Sequence, residues 1–267
     1  MNALGIFDSG LGGLTVAKEI LHELPNESLL YFGDTARLPY GNKSPETVKR
    51  YSLEIAHFLK EKGVKALVIA CNTASAFSVD LLQSELSLPT IGVIEPGARA
   101  ALQCSKTERI AVLATKSTVK SGAYTKTLQS LSPHVEVTEV ACPLLVPLIE
   151  ERYADTIPGR AILDEYLNQV DFSKVDTLLL GCTHYPLVQT LIRATLPPHV
   201  QIVNSAAALA KELRLLLQMN ELLSPEAGTE HQFYTSDDVE TFQKEGSFYL
   251  GRELAEVKEG LTNFSYH

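Results

Sequence analysis

Short apolar runs alternate with amphipathic segments along most of the chain. In the segment 12–24, for example, apolar residues recur every three or four positions, which is helical spacing. Strands are predicted at 3–7, 28–34, 66–70, 90–94, 109–115, 136–142, 177–181, 201–205 and 231–236. Helices are predicted at 12–24, 44–63, 207–223 and from Asp237. Continuous apolar strands are typical of a sheet covered by helices on both faces. The pattern therefore predicts an α/β fold with mainly parallel sheets flanked by helices.

Two parts of the chain repeat the same local pattern. "ALVIACNTAS" and "TLLLGCTHYP" both run from an apolar strand into a cysteine, Cys71 or Cys182, followed by polar residues. "GIFDSG" and "VLATKS" likewise end an apolar run in a polar residue, Asp8 or Thr115. This repeat predicts two similar α/β domains. We expect a first domain of 1–95 plus 208–267, a second domain of 96–207, and crossings at 95–99 and 204–208.

The repeat brings two thiols into one predicted site. Residues just past the carboxyl ends of parallel strands line the binding crevice, so facing domains would place Cys71 and Cys182 across one cleft. Two such thiols, one ionised, can take a proton from one face of a carbon and return one to the other. Each cysteine is expected to precede a helix, whose N–H groups favour the thiolate. Asp8 and His184 are candidate acid–base partners of Cys71 and Cys182.

Plainer interpretations of these residues exist. Cys104 and Cys142 are interpreted as small core residues. His184 alone would be a structural hydrogen-bonding group, and Asp8 could simply cap the helix at 12–24. The adjacent pair Glu150–Glu151 would by default be a solvated helix end.

Other kinds of site are also open to this sequence. "GLGG" suggests a dinucleotide loop, but Thr15 stands where a third glycine would be needed. Cys182 and His184 could be zinc ligands, although Cys71 and Asp8 would complete an unusual set. One cysteine with His184 could instead form a thiol hydrolase dyad. A non-catalytic binding module for acidic amino acids is a further alternative.

Composition narrows the class of protein. The chain has 267 residues, of which 45% are hydrophobic, enough for two modest cores of a soluble protein. Its net charge of −9 repels phosphate backbones, so nucleic acid is not expected as the main partner. We expect no membrane span and no signal sequence, a mature chain starting near Met1, and a cytoplasmic location. The four cysteines form no CxxC pair and are interpreted as free thiols.

The motifs around these residues resemble those of the glutamate racemases, within the cofactor-independent aspartate/glutamate racemase family. The resemblance spans nearly the whole chain. It is carried by "GIFDSGLGGLTV" (5–16), "GDTARLPYG" (33–41), "ACNTASA" (70–76), "GVIEPG" (92–97), "VLATKSTVKSGAY" (112–124), "CPLLVPLIEE" (142–151) and "GCTHYPL" (181–187). It implies interconversion of L- and D-glutamate without cofactor or metal, supplying D-glutamate for peptidoglycan. Racemisation of aspartate or another acidic amino acid by the same thiols is the nearest alternative.

The resemblance also implies roles for individual residues. Cys71 would take the α-proton of D-glutamate and Cys182 that of L-glutamate, with Asp8 and His184 as auxiliary acid–base groups. Glu150 matches a third carboxylate of the family, unless Glu151 holds that place. The substrate-binding positions would be Asp8, Ser9, Tyr40, Gly41, Asn72, Thr73, Thr115, Thr118, Thr183 and His184.

Three further expectations follow from the family. Its members are often dimers, which makes a homodimer a candidate assembly. Its longer members carry an N-terminal extension linked to activation by a cell-wall precursor, and we do not expect that regulation here. The family pattern usually has Asp-Ser where this chain has Asn204-Ser205, so no charge is expected to act at that crossing.

Overall fold

The computed structural model describes residues 2–226, 230–254 and 256–261. Its strands are β1 (Leu4–Asp8), β2 (Leu29–Gly33), β3 (Ala66–Ile69), β4 (Thr90–Gly92), β5 (Arg109–Ala114), β6 (Glu136–Ala141), β7 (Thr177–Gly181), β8 (Gln201–Asn204), β9 (Gln232–Thr235) and β10 (Val257–Glu259). Its helices are α1 (Leu14–Glu23), α2 (Pro45–Glu61), α3 (Asn72–Leu86), α4 (Ile94–Cys104), α5 (Lys116–Ser121), α6 (Ala123–Leu131), α7 (Leu145–Glu150), α8 (Ile157–Leu167), α9 (Gln189–Thr195), α10 (Ser205–Met219) and α11 (Val239–Leu250).

The strands form two parallel sheets. One has the order β10-β9-β2-β1-β3-β4, and the other has the order β6-β5-β7-β8. The strand pairs in both sheets are parallel. The strands β1 to β4 and β5 to β8 therefore repeat one order: second, first, third, fourth. The prediction of a parallel α/β fold is confirmed. None of the helices in the described part of the chain has the length and apolar character needed to cross a bilayer.

The domain boundaries stay a prediction. The first sheet takes strands from both ends of the chain, and the second takes strands only from the middle. Of the predicted first domain, residues 1, 227–229, 255 and 262–267 lie outside the described residues.

Both faces of each sheet are buried, which explains the continuous apolar runs. In β1, Leu4 and Ile6 pack into one core cluster, while Phe7 packs into the cluster on the opposite face. In β7, Leu178 and Leu179 similarly belong to different clusters. Alternate residues of a strand point to opposite faces, so a strand covered on both sides must be apolar throughout.

The ends of α2 follow from its sequence. The Ser44 hydroxyl accepts a hydrogen bond from the Thr47 N–H at 3.3 Å, and Pro45 occupies the first helical position. Gly63, just past the end, has φ of 77°, a conformation that glycine adopts without steric cost. The predicted limits of this helix are confirmed.

The segments predicted as domain crossings are helical: 95–99 lies within α4, and 204–208 falls mostly within α10. Some predicted limits of strands and helices were wrong. Because α4 begins at Ile94, the strand predicted at 90–94 ends at Gly92. The helix predicted at 207–223 begins at Ser205 and ends at Met219. The edge strand β10 was not predicted, because its three residues show no apolar run.

A buried ion pair ties the segment after α10 to the first sheet. Lys65 Nζ lies 2.6 Å from Glu27 Oε2, and the two side chains are only 4% and 1% exposed. The ammonium also donates to the Leu222 carbonyl at 2.6 Å, and the Ser224 N–H donates to the Glu27 carboxylate at 2.8 Å. This network binds the returning chain against the start of β3.

Replacing Lys65 with methionine is expected to lower the free energy of unfolding by about 3 kcal/mol, because it leaves the Glu27 carboxylate buried and unpaired. Urea unfolding at neutral pH measures the change. The double variant Lys65→Met/Glu27→Gln removes the uncompensated charge and should recover much of the loss. A double variant no more stable than Lys65→Met would contradict this account.

Candidate active site

The carboxyl ends of equivalent strands of the two sheets face one cavity of about 220 Å³. Both Cys71, just after β3, and Cys182, just after β7, line it. Ser9 follows β1 and Thr115 follows β5, so all four equivalent strand ends contribute. The lining residues are Ser9, Leu38, Pro39, Tyr40, Gly41, Asn42, Cys71, Asn72, Thr73, Thr115, Lys116, Cys142, Pro143, Val146, Pro147, Glu150, Cys182, Thr183 and His184.

Cys71 caps the amino end of α3. Its sulfur accepts a hydrogen bond from the Ala74 N–H at 3.5 Å, and its thiol donates to Ser9 Oγ at 3.8 Å. Burial, followed by the negative charge of Asp8, raises the pKa of Cys71 to about 12, although the Ala74 and Ser9 contacts oppose this. The Ala74 N–H at the start of α3 therefore favours the Cys71 thiolate as expected, but desolvation outweighs it and the net pKa is raised.

Asp8 lies behind the Cys71 wall rather than on the cavity surface. Its carboxylate is fully buried and accepts a hydrogen bond from the Gly10 N–H at 3.0 Å. Burial raises the pKa of Asp8, while the charge of His184 and the amides of Gly13 and Gly10 lower it. Helix α1 starts at Leu14 with no side-chain cap, so the alternative of Asp8 as its N-cap was wrong.

The Cys182 wall has a different local structure. A turn follows this cysteine, and then a short 3₁₀ helix, Tyr185–Val188, that continues into α9, so a helix comes after Cys182 but does not begin at it. Cys182 Sγ lies 3.9 Å from His184 Nδ1, and His184 Nε2 lies 2.9 Å from Glu150 Oε1. Burial lowers the pKa of His184, but the contacts with Cys182 and Glu150 outweigh it and raise that pKa to about 10. Cys182, His184 and Glu150 thus form a chain of contacts that leads from the cavity wall to a carboxylate.

Of the two adjacent glutamates, Glu150 is the one in contact with His184. Glu150 is the last residue of α7 and its side chain is 30% exposed. Glu151 is exposed and borders a neighbouring cavity instead. The interpretation of both as a solvated helix end was wrong for Glu150.

Three threonine hydroxyls form a closed cluster beside Cys71. Thr73 Oγ1 lies 2.9 Å from Thr115 Oγ1 and 3.1 Å from Thr118 Oγ1, and the last two are 3.0 Å apart. Thr118 does not line the cavity, but it holds the two hydroxyls that do. Each hydroxyl has one proton, so a cavity-lining hydroxyl that donates outward to an anion must accept, and not donate, within the cluster.

The remaining predicted binding residues contribute differently. Asn72 Oδ1 accepts from the Tyr124 hydroxyl at 2.6 Å, and its Nδ2 has no hydrogen-bond partner in the described ranges. Tyr40 lines the cavity with its ring, but its hydroxyl donates to Asp34. A Cβ at Gly41 would lie 2.9 Å from Thr115, so the backbone here approaches the opposite wall closely.

Some residues of the site were not predicted. Cys142, interpreted as an inert core residue, is 1% exposed yet lines the cavity, since it follows β6 at the same sheet edge. Lys116, also unpredicted, is an exposed residue that borders the cavity. The strand-end rule that located Cys71 would have located both.

The glycines of "GLGG" pack against the acid–base groups. A Cβ at Gly12 would lie 2.4 Å from the His184 ring, and one at Gly13 would lie 2.4 Å from Asp8 Cβ. These glycines thus allow the loop to approach His184 and Asp8 closely, which accounts for them without a dinucleotide. The alternative zinc set is not assembled either: no three His, Cys, Asp or Glu side chains among the described residues are grouped to hold a metal ion.

Comparison with known proteins agrees with this geometry. The family model for Asp/Glu/hydantoin racemase matches residues 12–213. A glutamate racemase of Geobacter metallireducens is 49% identical over 257 residues, covering 96% of this chain and 95% of the relative.

Solved structures give the same result. A glutamate racemase isoform of Bacillus anthracis superposes with a TM-score of 0.93 at 40% identity, covering 98% of each chain. A glutamate racemase of Francisella tularensis, solved with D-glutamate, has a TM-score of 0.91 at 34% identity, covering 100% of this chain and 99% of that one. The chain therefore belongs to the Asp/Glu/hydantoin racemase family and is an enzyme of the amino-acid racemase class.

Proposed function

We propose that this enzyme interconverts L- and D-glutamate by two-base proton transfer at Cα, without a cofactor. The observation that carries the proposal is the placement of Cys71 and Cys182, from equivalent strands of two sheets, in one cavity. Proton removal from one face of a carbon and delivery to the other needs two such groups on opposite walls. The names of the relatives support glutamate as the substrate.

The charges around the two thiols suggest which is ionised before L-glutamate binds. A protonated His184, held by Glu150, stabilises a thiolate at Cys182. Burial and the Asp8 carboxylate raise the pKa of Cys71 and keep it a thiol. The resting pair is then a Cys182 thiolate and a Cys71 thiol.

In the L-to-D direction, the Cys182 thiolate takes the α-proton and forms an S–H bond as the Cα–H bond breaks. The electron pair stays on Cα and delocalises into the α-carboxylate. Cys71 then gives its proton to the opposite face of Cα and is left as a thiolate. The D-to-L direction uses the same steps in reverse. Asp8 on one side and His184 with Glu150 on the other are proposed to return the thiols to their starting states.

The cavity also offers groups suited to two carboxylates and one ammonium. The amino end of α3, at Asn72 and Thr73, directs backbone N–H groups toward an anion. The unpartnered Asn72 amide, the hydroxyl of Thr115 and the Lys116 ammonium add donors for carboxylates. Ser9, Tyr40, Gly41 and Thr183 are proposed to complete the binding surface.

We place the reaction in the cytoplasm, where D-glutamate would be made for peptidoglycan. The arrangement of one sheet from both chain ends and one from the middle supports the proposed domains, 1–95 plus 208–267 and 96–207. A homodimer is the proposed assembly, by analogy with the family.

Replacing either Cys71 or Cys182 with serine is expected to abolish racemisation in both directions, by at least about 10³-fold, because a serine hydroxyl is a far weaker acid than a thiol. Activity is followed by circular dichroism of glutamate, and solvent deuterium incorporation at Cα is followed by NMR without added cofactor. Aspartate serves as the competing substrate, and its faster turnover would shift the proposal to that amino acid.

Cys104→Ser is the matched control, since this half-buried thiol does not line the cavity and should leave the rate unchanged. Full racemisation in one of the two cavity variants would contradict the two-thiol mechanism. Binding of glutamate by the wild type with no isotope exchange would indicate a binding module.

The raised pKa of His184 makes its contribution to stability depend on pH. A histidine whose pKa rises on folding from 6.5 to about 10 stabilises the fold fully below pH 6.5 and loses this effect as pH rises through about 10. His184→Asn should therefore be destabilising on the order of a few kcal/mol near pH 6, and much less so near pH 10.

Urea unfolding of the wild type and the variant across this range measures the difference. His134→Asn, at an exposed histidine, should show no such trend. A destabilisation by His184→Asn that is constant or grows with pH would show that the imidazolium is not the stabilising form.

A further inference from the structure

The end of α7 has an unusual residue at a position that favours glycine. The Arg152 N–H donates to the Ile149 carbonyl at 3.0 Å, and the Tyr153 N–H donates to the Leu148 carbonyl at 2.7 Å. This pair of bonds is a Schellman ending, which needs a left-handed residue just past the C-cap, most often glycine. Arg152 fills that position with φ of 55°. A side chain kept in a conformation that disfavours it suggests that the side chain has a function.

The Arg152 side chain crosses from the second sheet's half of the molecule to the first. Its guanidinium donates to Glu245 Oε2 at 2.7 Å and lies 4.8 Å from the centre of the Phe248 ring. Both partners lie on α11, the helix that connects β9 to β10 of the six-stranded sheet. The contact therefore links the end of α7 to α11 in the first sheet's half of the molecule.

Two features connect this contact to the reacting groups. Glu150, which contacts His184, is the last residue of α7, immediately before the turn that Arg152 holds. Tyr249, on α11 beside Phe248, packs its ring edge-on against the His184 ring with centroids 5.7 Å apart. Helix α11 thus contacts His184 directly through Tyr249. It is also linked, through Arg152, to the end of α7 that carries Glu150.

We propose that Arg152 is a positioning residue that acts through Glu150. By anchoring the end of α7 to Glu245 and Phe248, it keeps the Glu150 carboxylate on His184 Nε2 and so keeps His184 protonated beside Cys182. The proposal rests on the two-thiol function proposed above. It assigns to Arg152 no contact with the substrate.

Arg152→Gly removes the side chain but keeps the turn, because glycine adopts the left-handed conformation readily and preserves the end of α7. The first readout does not need activity: NMR titration of histidine-labelled protein should show a lower pKa for His184 than in the wild type. Glu245→Gln should lower it too, and the double variant should add little. Arg160→Ala is the matched control, since Arg160 is as exposed as Arg152 but pairs with Asp155 on the same half.

The second readout is the primary isotope effect with substrates deuterated at Cα. Loosening Glu150 slows proton transfer between Cα and Cys182, so that transfer becomes the slower step in both directions. The isotope effect should rise for L-glutamate, whose deuterium goes to Cys182, and fall for D-glutamate, whose deuterium goes to Cys71. The rate kcat/KM should fall about 10-fold and equally in both directions, below the ~100-fold that a 1 Å misplacement can cause.

Opposite shifts of the two isotope effects, together with a lowered His184 pKa, support the proposal. Wild-type isotope effects in Arg152→Gly overturn it whatever the rate, because lost folded enzyme changes the amount of activity and not the balance of steps. An unchanged His184 pKa also overturns it. If the wild type itself exchanges no Cα hydrogen, the two-thiol function fails, while the titration still decides whether Arg152 positions Glu150.

Discussion

The site depends on one geometric constraint, which is that parallel strands of a sheet all end at the same edge. The two sheets share the order second, first, third, fourth, so the ends of β1 and β3 match those of β5 and β7. When these edges face each other, Cys71 and Cys182 meet in one cavity although they are distant in the chain. Two thiols that line one cavity thus arise from repetition of one fold unit.

The two walls are alike in topology but opposite in charge. Asp8 lies behind Cys71 and raises the pKa of this buried thiol, while His184 lies beside Cys182 and carries a proton up to about pH 10. A symmetric pair of thiols would have no preferred site for the single ionised state. In the proposed mechanism, the carboxylate on one side and the imidazolium on the other decide which thiol is ionised.

The groups that make the two walls different, Asp8 and His184, are closely packed behind the cavity surface. The backbone at Gly12 and Gly13 passes so near His184 and Asp8 that a Cβ at either glycine would overlap the side chain it faces. The same loop supplies the Gly10 N–H to the Asp8 carboxylate. The loop therefore fixes both auxiliary groups at once, although they belong to opposite walls of the cavity.

The sequence predicted most strands of the two sheets and the meeting of both thiols in one cavity. Strands covered on both faces must be apolar throughout, so the polar residues at their ends stand out. It did not predict that α4 begins before Pro96 and Gly97, since these residues resemble a loop. Pro96 is tolerated in the first helical turn, where its N–H is not needed, and Gly97 lets α4 approach Ser205 of α10. The left-handed turn at Arg152 leaves no periodic trace in the sequence.

Asn204, where the family pattern usually has Asp, shows how a structural position differs from a position in the proposed reaction. Asn204 caps α10, and its Oδ1 accepts from the Ala206 N–H at 2.9 Å. A cap needs an oxygen acceptor, which asparagine supplies as well as aspartate does, so only about 0.3–1 kcal/mol of charge–dipole attraction is given up. Asn204 does not line the cavity. A capping residue can change to another side chain with the same acceptor, whereas the proposed mechanism constrains Cys71 and Cys182 by the proton that each would carry.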